Sequence, residues 1–198
     1  WYNKQLAKLR SIAMKGHDPK KATRMGLLNT KQMRSLHQKR DLFFHDAMHK
    51  ISSRIVQECM DHGITTIVIG VNERWKQGVE LGKNTQSFVQ MPFYQLRKMI
   101  EYKAERVGIE VISQEESYTS KADLTAGDHI PTYGVDDEKA KFSGTRVKRG
   151  LYQNKEGNLF NADLIGAGNI LRKKFPETFS KITDFSFLQN IKVIQVFS

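Results

Sequence analysis

Two carboxylates stand where chemistry can be done. Glu116 lies in Gln114-Glu115-Glu116-Ser117-Tyr118-Thr119-Ser120-Lys121, and Asp163 in Phe160-Asn161-Ala162-Asp163-Leu164-Ile165-Gly166-Ala167-Gly168-Asn169-Ile170. Glu116 closes a predicted strand, Ile109 to Ser113, and Asp163 opens a predicted helix. Carboxylates meeting from a strand end and a helix start can hold a divalent cation for phosphodiester chemistry. Taken singly, each also has a plainer reading. A strand-end carboxylate is often just solvated, and a first-turn Asp is favoured by the helix dipole. About 45 residues separate the two, so only a fold can unite them.

Several elements must do that positioning. Tyr2, Leu6, Leu9 and Ile12 or Ala13 recur at helical spacing, and Gly16 to Pro19 breaks the run. A long helix is predicted from Thr30, whose hydroxyl can cap, to His62-Gly63; at 1.5 Å per residue it spans about 45 Å. Ile64 to Gly70 is β-branched and apolar, as in a strand buried on both faces. The stretch from Val71 to Gln90 reads as loop. Pro92 then starts a helix carrying Phe93, Leu96, Ile100, Ala104 and Val107, ended by Gly108. With the Ile109 strand this makes a right-handed β-α-β unit. Arg146 to Tyr152 and Asn158 to Phe160 are predicted to pair as a hairpin across Asn154-Lys155-Glu156-Gly157. A helix over Ala162 to Lys174 follows, stopped by Pro176, and Ile191 to Phe197 reads as a strand in the tail.

The chain has 198 residues and a formal net charge of +11. Thirteen Lys and Arg through Arg54 are opposed only by Asp18, Asp41 and Asp46, whereas the remainder carries 19 against 18. A basic front on a balanced body is the footprint of a polyanion binder; the plainer alternative is a solvated helical face. No compact apolar face accompanies the charge, which disfavours an anionic membrane surface, and no apolar run reaches the roughly 18 residues of a bilayer span. The single cysteine, Cys59, excludes a disulfide framework and a paired-cysteine zinc ribbon. It points to a reducing, cytoplasmic setting. The chain opens on Trp1 rather than Met, as a piece of a longer protein would.

Other constellations are open to two readings. His45 and His49 share one helical face, but the Asp46 between them is shorter than the Glu of hydrolytic zinc helices; nucleic-acid contact or surface packing is the alternative. Trp75 and Lys76 either stack on a base or ribose or cap the core. Arg146, Lys148 and Arg149 cluster in the hairpin beside Tyr152 and suit phosphate contact. Lys39 and Arg40, in the long basic helix, join them as candidate nucleic-acid contacts.

From Trp1-Tyr2-Asn3-Lys4 to Arg172-Lys173 the chain resembles the TnpB (OrfB) family of transposon-encoded proteins, relatives of the type V CRISPR effectors. The matching words include Leu6-Ala7-Lys8-Leu9, His49-Lys50-Ile51-Ser52, Ile67-Val68-Ile69-Gly70, Trp75-Lys76-Gln77 and Phe88-Val89-Gln90. Further along come Tyr102-Lys103-Ala104-Glu105, Glu116-Ser117-Tyr118-Thr119-Ser120-Lys121, Phe142-Ser143-Gly144, Lys148-Arg149-Gly150-Leu151-Tyr152 and Asn161-Ala162-Asp163.

The resemblance implies an α/β fold with a RuvC-like (RNase H-like) nuclease core, guided to target DNA by a transposon-derived guide RNA. It also implies Mg²⁺ at a two-metal site, with the second acid at Glu116 and the third at Asp163. The corresponding division is a basic helical segment over 1–63, an α/β part of the core over 64–118, an insert over 119–160, a core helix over 161–175 and a tail over 176–198. Three departures follow. The family's first acid precedes the segment matching Trp1, and Asn72 and Glu73 are not carried onto it. Lys121-Ala122-Asp123-Leu124 stands where many relatives have the first cysteine pair of a zinc ribbon, so a zinc-free insert is expected. Ile165 replaces the usual Asn. The expected activity is Mg²⁺-dependent DNA cleavage by the full-length protein; the alternatives are a nuclease-dead RNA-guided repressor and an inactive fragment.

Overall fold

The computed structural model describes residues 1–72, 92–136, 138 and 140–196. Helix α1 (Tyr2–Ala13) lays Tyr2, Leu6, Leu9 and Ala13 against Met33 and Leu36. These belong to α3 (Lys31–Asp61), the predicted long helix, whose first turn is capped by the Thr30 hydroxyl accepting the Met33 N–H at 3.2 Å. Between them lies α2 (Pro19–Arg24), which apolar spacing does not predict. Six residues burying only Ala22 are too few to show a period; the helix starts because Asp18 accepts the Lys20 and Lys21 N–H groups and Pro19 is preset for a first turn.

The predicted β-α-β unit is present. Strand β1 (Thr66–Val71), helix α4 (Phe93–Glu105) and strand β2 (Glu110–Glu115) form a parallel pair in register from Thr66 opposite Glu110 to Val71 opposite Glu115. β2 runs two residues beyond the expected Ser113, so Glu116 follows it directly. Val56 and Cys59 of α3 pack with Ala104 and Ile109, and with the partly buried Ile67 and Val111, into one apolar core. Cys59 is therefore a buried packing residue. Lys103 pins α4 to α3 by donating to the His49 carbonyl and to the Ser52 and Ser53 hydroxyls at 2.7–2.8 Å. Burial lowers its pKa.

The expected single hairpin is a three-stranded antiparallel sheet instead: β3 (Thr145–Lys148), β4 (Leu151–Gln153) and β5 (Leu159–Asn161). Gly150, at φ 78°, turns the chain inside the stretch read as one strand. Helix α5 (Ala162–Lys174) matches its predicted span and packs against both β1 and β2. Its Ala162 and Ile165 join Leu124, Tyr152, Phe160 and Leu188 in a second core. Leu188 belongs to the tail, which forms short 3₁₀ turns at Pro176–Phe179 and Ser186–Leu188. The expected tail strand is absent over its described residues, 191–196. Val193 there is 86% exposed, and a β-branched run without a neighbouring strand has no ladder to join.

The loop expected to fold without zinc is tied by side chains. Asp123 is fully buried. One of its oxygens accepts the Thr125 N–H and hydroxyl and the Ala126 N–H; the other accepts the Lys155 N–H from the β4–β5 turn at 2.8 Å. Asp128 accepts from the Asp123 N–H and from the backbone and hydroxyl of Ser143. The Tyr152 hydroxyl donates to the Lys121 carbonyl at 2.9 Å. The buried Asp123 and half-buried Asp128 carboxylates thus join three segments that are distant in sequence.

Candidate metal and nucleic-acid site

Glu115 and Glu116 are adjacent but serve different ends. The Glu115 carboxylate takes the Lys173 ammonium at 2.5 Å and the Ser117 N–H at 2.6 Å. Burial pushes its pKa up, but these partners outweigh that and hold it below the usual carboxylate value. Glu116 has the opposite environment: burial first, then the neighbouring Glu115 charge, raises its pKa. Its side chain lies against Gly70 of β1, where an added Cβ would come within 2.7 Å of Glu116 Oε2 and 2.6 Å of Ile170 Cδ1. Glycine at 70 is what lets Glu116 lie between the parallel strands and α5.

Asp163 occupies the first turn of α5, where the Asn161 side chain caps the helix by accepting the Asp163 and Leu164 N–H groups at 2.9 and 3.0 Å. Its carboxylate is 84% exposed and lies 3.6 Å from Arg146 Nη2 of β3. Glu116 and Asp163 line one cavity of about 670 Å³, together with Asn72, Tyr118, Lys121, Tyr133 and Arg146. The fold therefore brings the two predicted acids to one place, at the C-terminal edge of the parallel strands, where open α/β sheets bind ligands.

One helix sets the spacing. Beyond Asp163, α5 presents Asn169, Arg172 and Lys173 to the loop that follows Glu116. The buried Asn169 amide donates to the Thr119 and Ala122 carbonyls at 2.9 and 2.8 Å. Arg172 donates to the Asp128 carbonyl at 2.5 Å, and Lys173 to that of Pro131 at 3.0 Å. Tyr118, in the left-handed region at φ 62°, stacks on Phe142 with ring centroids 5.9 Å apart. A non-glycine residue held there costs about 1–3 kcal/mol, and surrounding contacts must maintain it.

The donors suit a hard cation. Mg²⁺ is commonly held by one or two carboxylates and keeps several waters, and this cavity offers two carboxylates and the Asn72 side chain. No cluster of three or more His, Cys, Asp or Glu suited to a metal occurs among the described residues. His45 and His49 meet edge to face at 4.5 Å on α3 without a third such ligand among those residues.

The predicted nucleic-acid residues divide. Arg146, Lys148 and Arg149 are all exposed on β3 and its turn, and only Arg146 of the three lines the cavity. Lys39 is exposed on α3. Arg40 is half-buried, its guanidinium 4.8 Å from the Phe44 ring centre, 5.3 Å from that of Tyr2, and paired with Asp41 at 2.8 Å. It helps dock α1 on α3, so its cation is already engaged in packing. Trp75 and Lys76 lie outside the described residues. Ile165, where an Asn was expected, is fully buried in the second core. Sequence reasoning did not place Asn72, Tyr118, Lys121 or Tyr133 in the site. Position past the end of a parallel strand was an available signal for Asn72; Tyr133, in an irregular loop, offered none.

Comparison with known proteins gives consistent findings. Residues 93–170, from α4 into α5, match the family model of the Cas12f1-like TNB domain. No curated protein matches the chain. Among solved structures, a Cas12f1–sgRNA–target DNA complex is similar with a TM-score of 0.56 and 21% identity, over 87% of this chain and 41% of that one. A CRISPR-Cas12f ternary complex is similar with a TM-score of 0.56 and 23% identity, over 85% and 32%. The chain thus spans about two fifths or less of the structures it matches. Residues 93–170 are similar to the Cas12f1-like TNB domain, and the chain shares its fold with these structures.

Proposed function

We propose that this chain is part of an RNA-guided DNA endonuclease of a transposable element, with a RuvC-like core in which Glu116 and Asp163 hold Mg²⁺. The observation that carries the reading is the shared cavity: two carboxylates from a strand end and a helix start, flanked by Arg146 and Lys121. Bound Mg²⁺ supplies Lewis-acid stabilisation and a more acidic water for phosphodiester hydrolysis. The protein's own residues set the stage. Lys173 engages Glu115 and leaves Glu116 to the cavity, while α5 fixes the loop after Glu116 relative to Asp163. Arg146 contributes a fork suited to phosphate.

In this reading residues 1–63 form a basic RNA-facing segment, 64–118 and 161–175 the nuclease core, and 119–160 an insert held by Asp123 and Asp128 in place of zinc. Guide RNA and target DNA are the partners. The test is cleavage of target DNA by full-length protein loaded with guide RNA. Glu116→Gln and Asp163→Asn each abolish Mg²⁺-dependent cleavage while guide RNA binding persists; unchanged cleavage by either variant removes the assignment. A wild-type protein that binds target DNA without cutting it would be the repressor-like relative instead.

A further inference from the structure

The cavity has a wall that metal binding does not use. Tyr133 lines it and is 57% exposed, yet the surrounding backbone is held from three directions. The Tyr133 N–H donates to the Ser117 hydroxyl at 3.1 Å, next to Glu116. Lys173 of α5 donates to the Pro131 carbonyl at 3.0 Å. Asp136 accepts the Thr132 N–H at 2.6 Å and pairs with His129 at 2.8 Å, closing the loop on itself. An exposed ring on an anchored loop differs from a loop-tip aromatic, because its position relative to Glu116 is set.

The cavity's other contents indicate what such a ring would meet. Lys121 and Arg146 bring two cations. Lys121 lies 5.5 Å from the Tyr118 ring centre, and Tyr118 is itself stacked on Phe142, so that ring serves packing. The Arg146–Asp163 pair is exposed on both sides, and an exposed ion pair is weak enough to yield to a ligand. An aromatic face beside guanidinium and ammonium groups is the composition of a site that stacks a base and grips its phosphate.

We propose that Tyr133 is the nucleotide-positioning residue of this cavity, stacking on an unpaired nucleobase while Arg146 holds the adjoining phosphate beside Glu116 and Asp163. This rests on the reading of those acids as a phosphodiester-cleaving pair. A base within a duplex already has neighbours on both faces, so a protein ring in this position favours single strands. Stacking uses the ring face, so phenylalanine serves in its place.

The test uses single-stranded and duplex DNA carrying 2-aminopurine, whose fluorescence falls on stacking, with wild-type protein, Tyr133→Ala and Tyr133→Phe. Thermal melting first establishes that the variants are folded. Tyr133→Ala binds single strands about tenfold more weakly and loses the quenching, with duplex affinity unchanged; Tyr133→Phe retains both properties. Wild-type quenching and affinity in Tyr133→Ala, or an equal loss for single strand and duplex, overturns the inference. Cleavage by Glu116→Gln, measured alongside, separates the two levels. If that variant cuts normally the underlying reading fails, whereas if it is dead and Tyr133→Ala still quenches, only the role of Tyr133 falls.

Discussion

Arg146 reaches from the edge of the three-stranded sheet to Asp163 on the first turn of α5, Nη2 to Oδ1 3.6 Å, and links the insert to the proposed metal site. The side chains are 44% and 84% exposed, so the pair contributes little to folding, about 0–1 kcal/mol. Its significance is where it puts a guanidinium. Arg146→Ala is expected to leave the melting temperature nearly unchanged. Its DNA affinity should fall, with the slope of log K against log salt reduced by about one. Titrations across salt concentration check this, and an unaltered slope would mean that Arg146 touches no phosphate.

Asp123 organises the loop over 123–126 and the β4–β5 turn with four hydrogen bonds, one of them from Lys155 across the sheet turn. Asp123→Ala leaves four part-buried donors without their acceptor and should cost about 1–3 kcal/mol. Chemical denaturation measures it; a loss under about 0.5 kcal/mol would show that the loop is held some other way.

Asp128 gives the same loop a pH dependence. Burial raises its pKa, but hydrogen bonds from Ser143 and Asp123 and the Arg172 charge prevail and lower it below 3.8. The unfolded chain then takes up that proton at higher pH than the folded one. The contribution is complete above the unfolded value and is lost as pH falls through the folded one. Asp128→Asn should flatten the acid limb of the stability curve, which denaturation at a series of pH values below about 5 would reveal.

Gly70 is predicted to be intolerant of one methyl group. Its Cβ would meet Ile170 and Glu116 at 2.6 and 2.7 Å, and overpacking of this kind costs about 1–3 kcal/mol. Because one of the displaced groups is the Glu116 carboxylate, Gly70→Ala should lose most DNA cleavage while remaining folded at room temperature. Full activity would place the working position of Glu116 elsewhere.

The basic front makes a separate prediction. Guide RNA affinity should fall steeply with salt as each neutralised phosphate releases counterions, and charge-reversed Lys39 should reduce the slope. Arg40 should behave differently: half-buried against Tyr2 and Phe44, its removal lowers stability as well as any binding. A flat salt response would argue against a nucleic-acid surface on α1 to α3.

Much of the frame could be read from the sequence because it repeats. The apolar periods of α1, α3 and α4 and the β-branched run of β1 are local patterns, and Thr30, Pro92 and Gly108 punctuate them. Glu116 and Asp163 stood out because each occurs at an element boundary inside a distinctive word. What escaped depends on distant partners. The bonding of Asp123 to Lys155, and of Asn169 to Thr119 and Ala122, joins side chains to backbone across the chain and leaves no periodic trace. The tail strand failed for the converse reason: Ile191 to Phe197 has strand composition, but pairing requires a neighbour that local pattern does not report. Tyr133 is placed only once Ser117, Asp136 and Lys173 have anchored its loop.

The account depends most on Glu116 and Asp163 acting as one metal site. Divalent-metal affinity, measured with Mn²⁺ in place of Mg²⁺ for wild type, Glu116→Gln, Asp163→Asn and the double variant of the full-length protein, tests this directly. A shared site predicts that each single change removes most of the affinity and that the double change removes little more. Independent, additive losses, or wild-type affinity in either single variant, would contradict it.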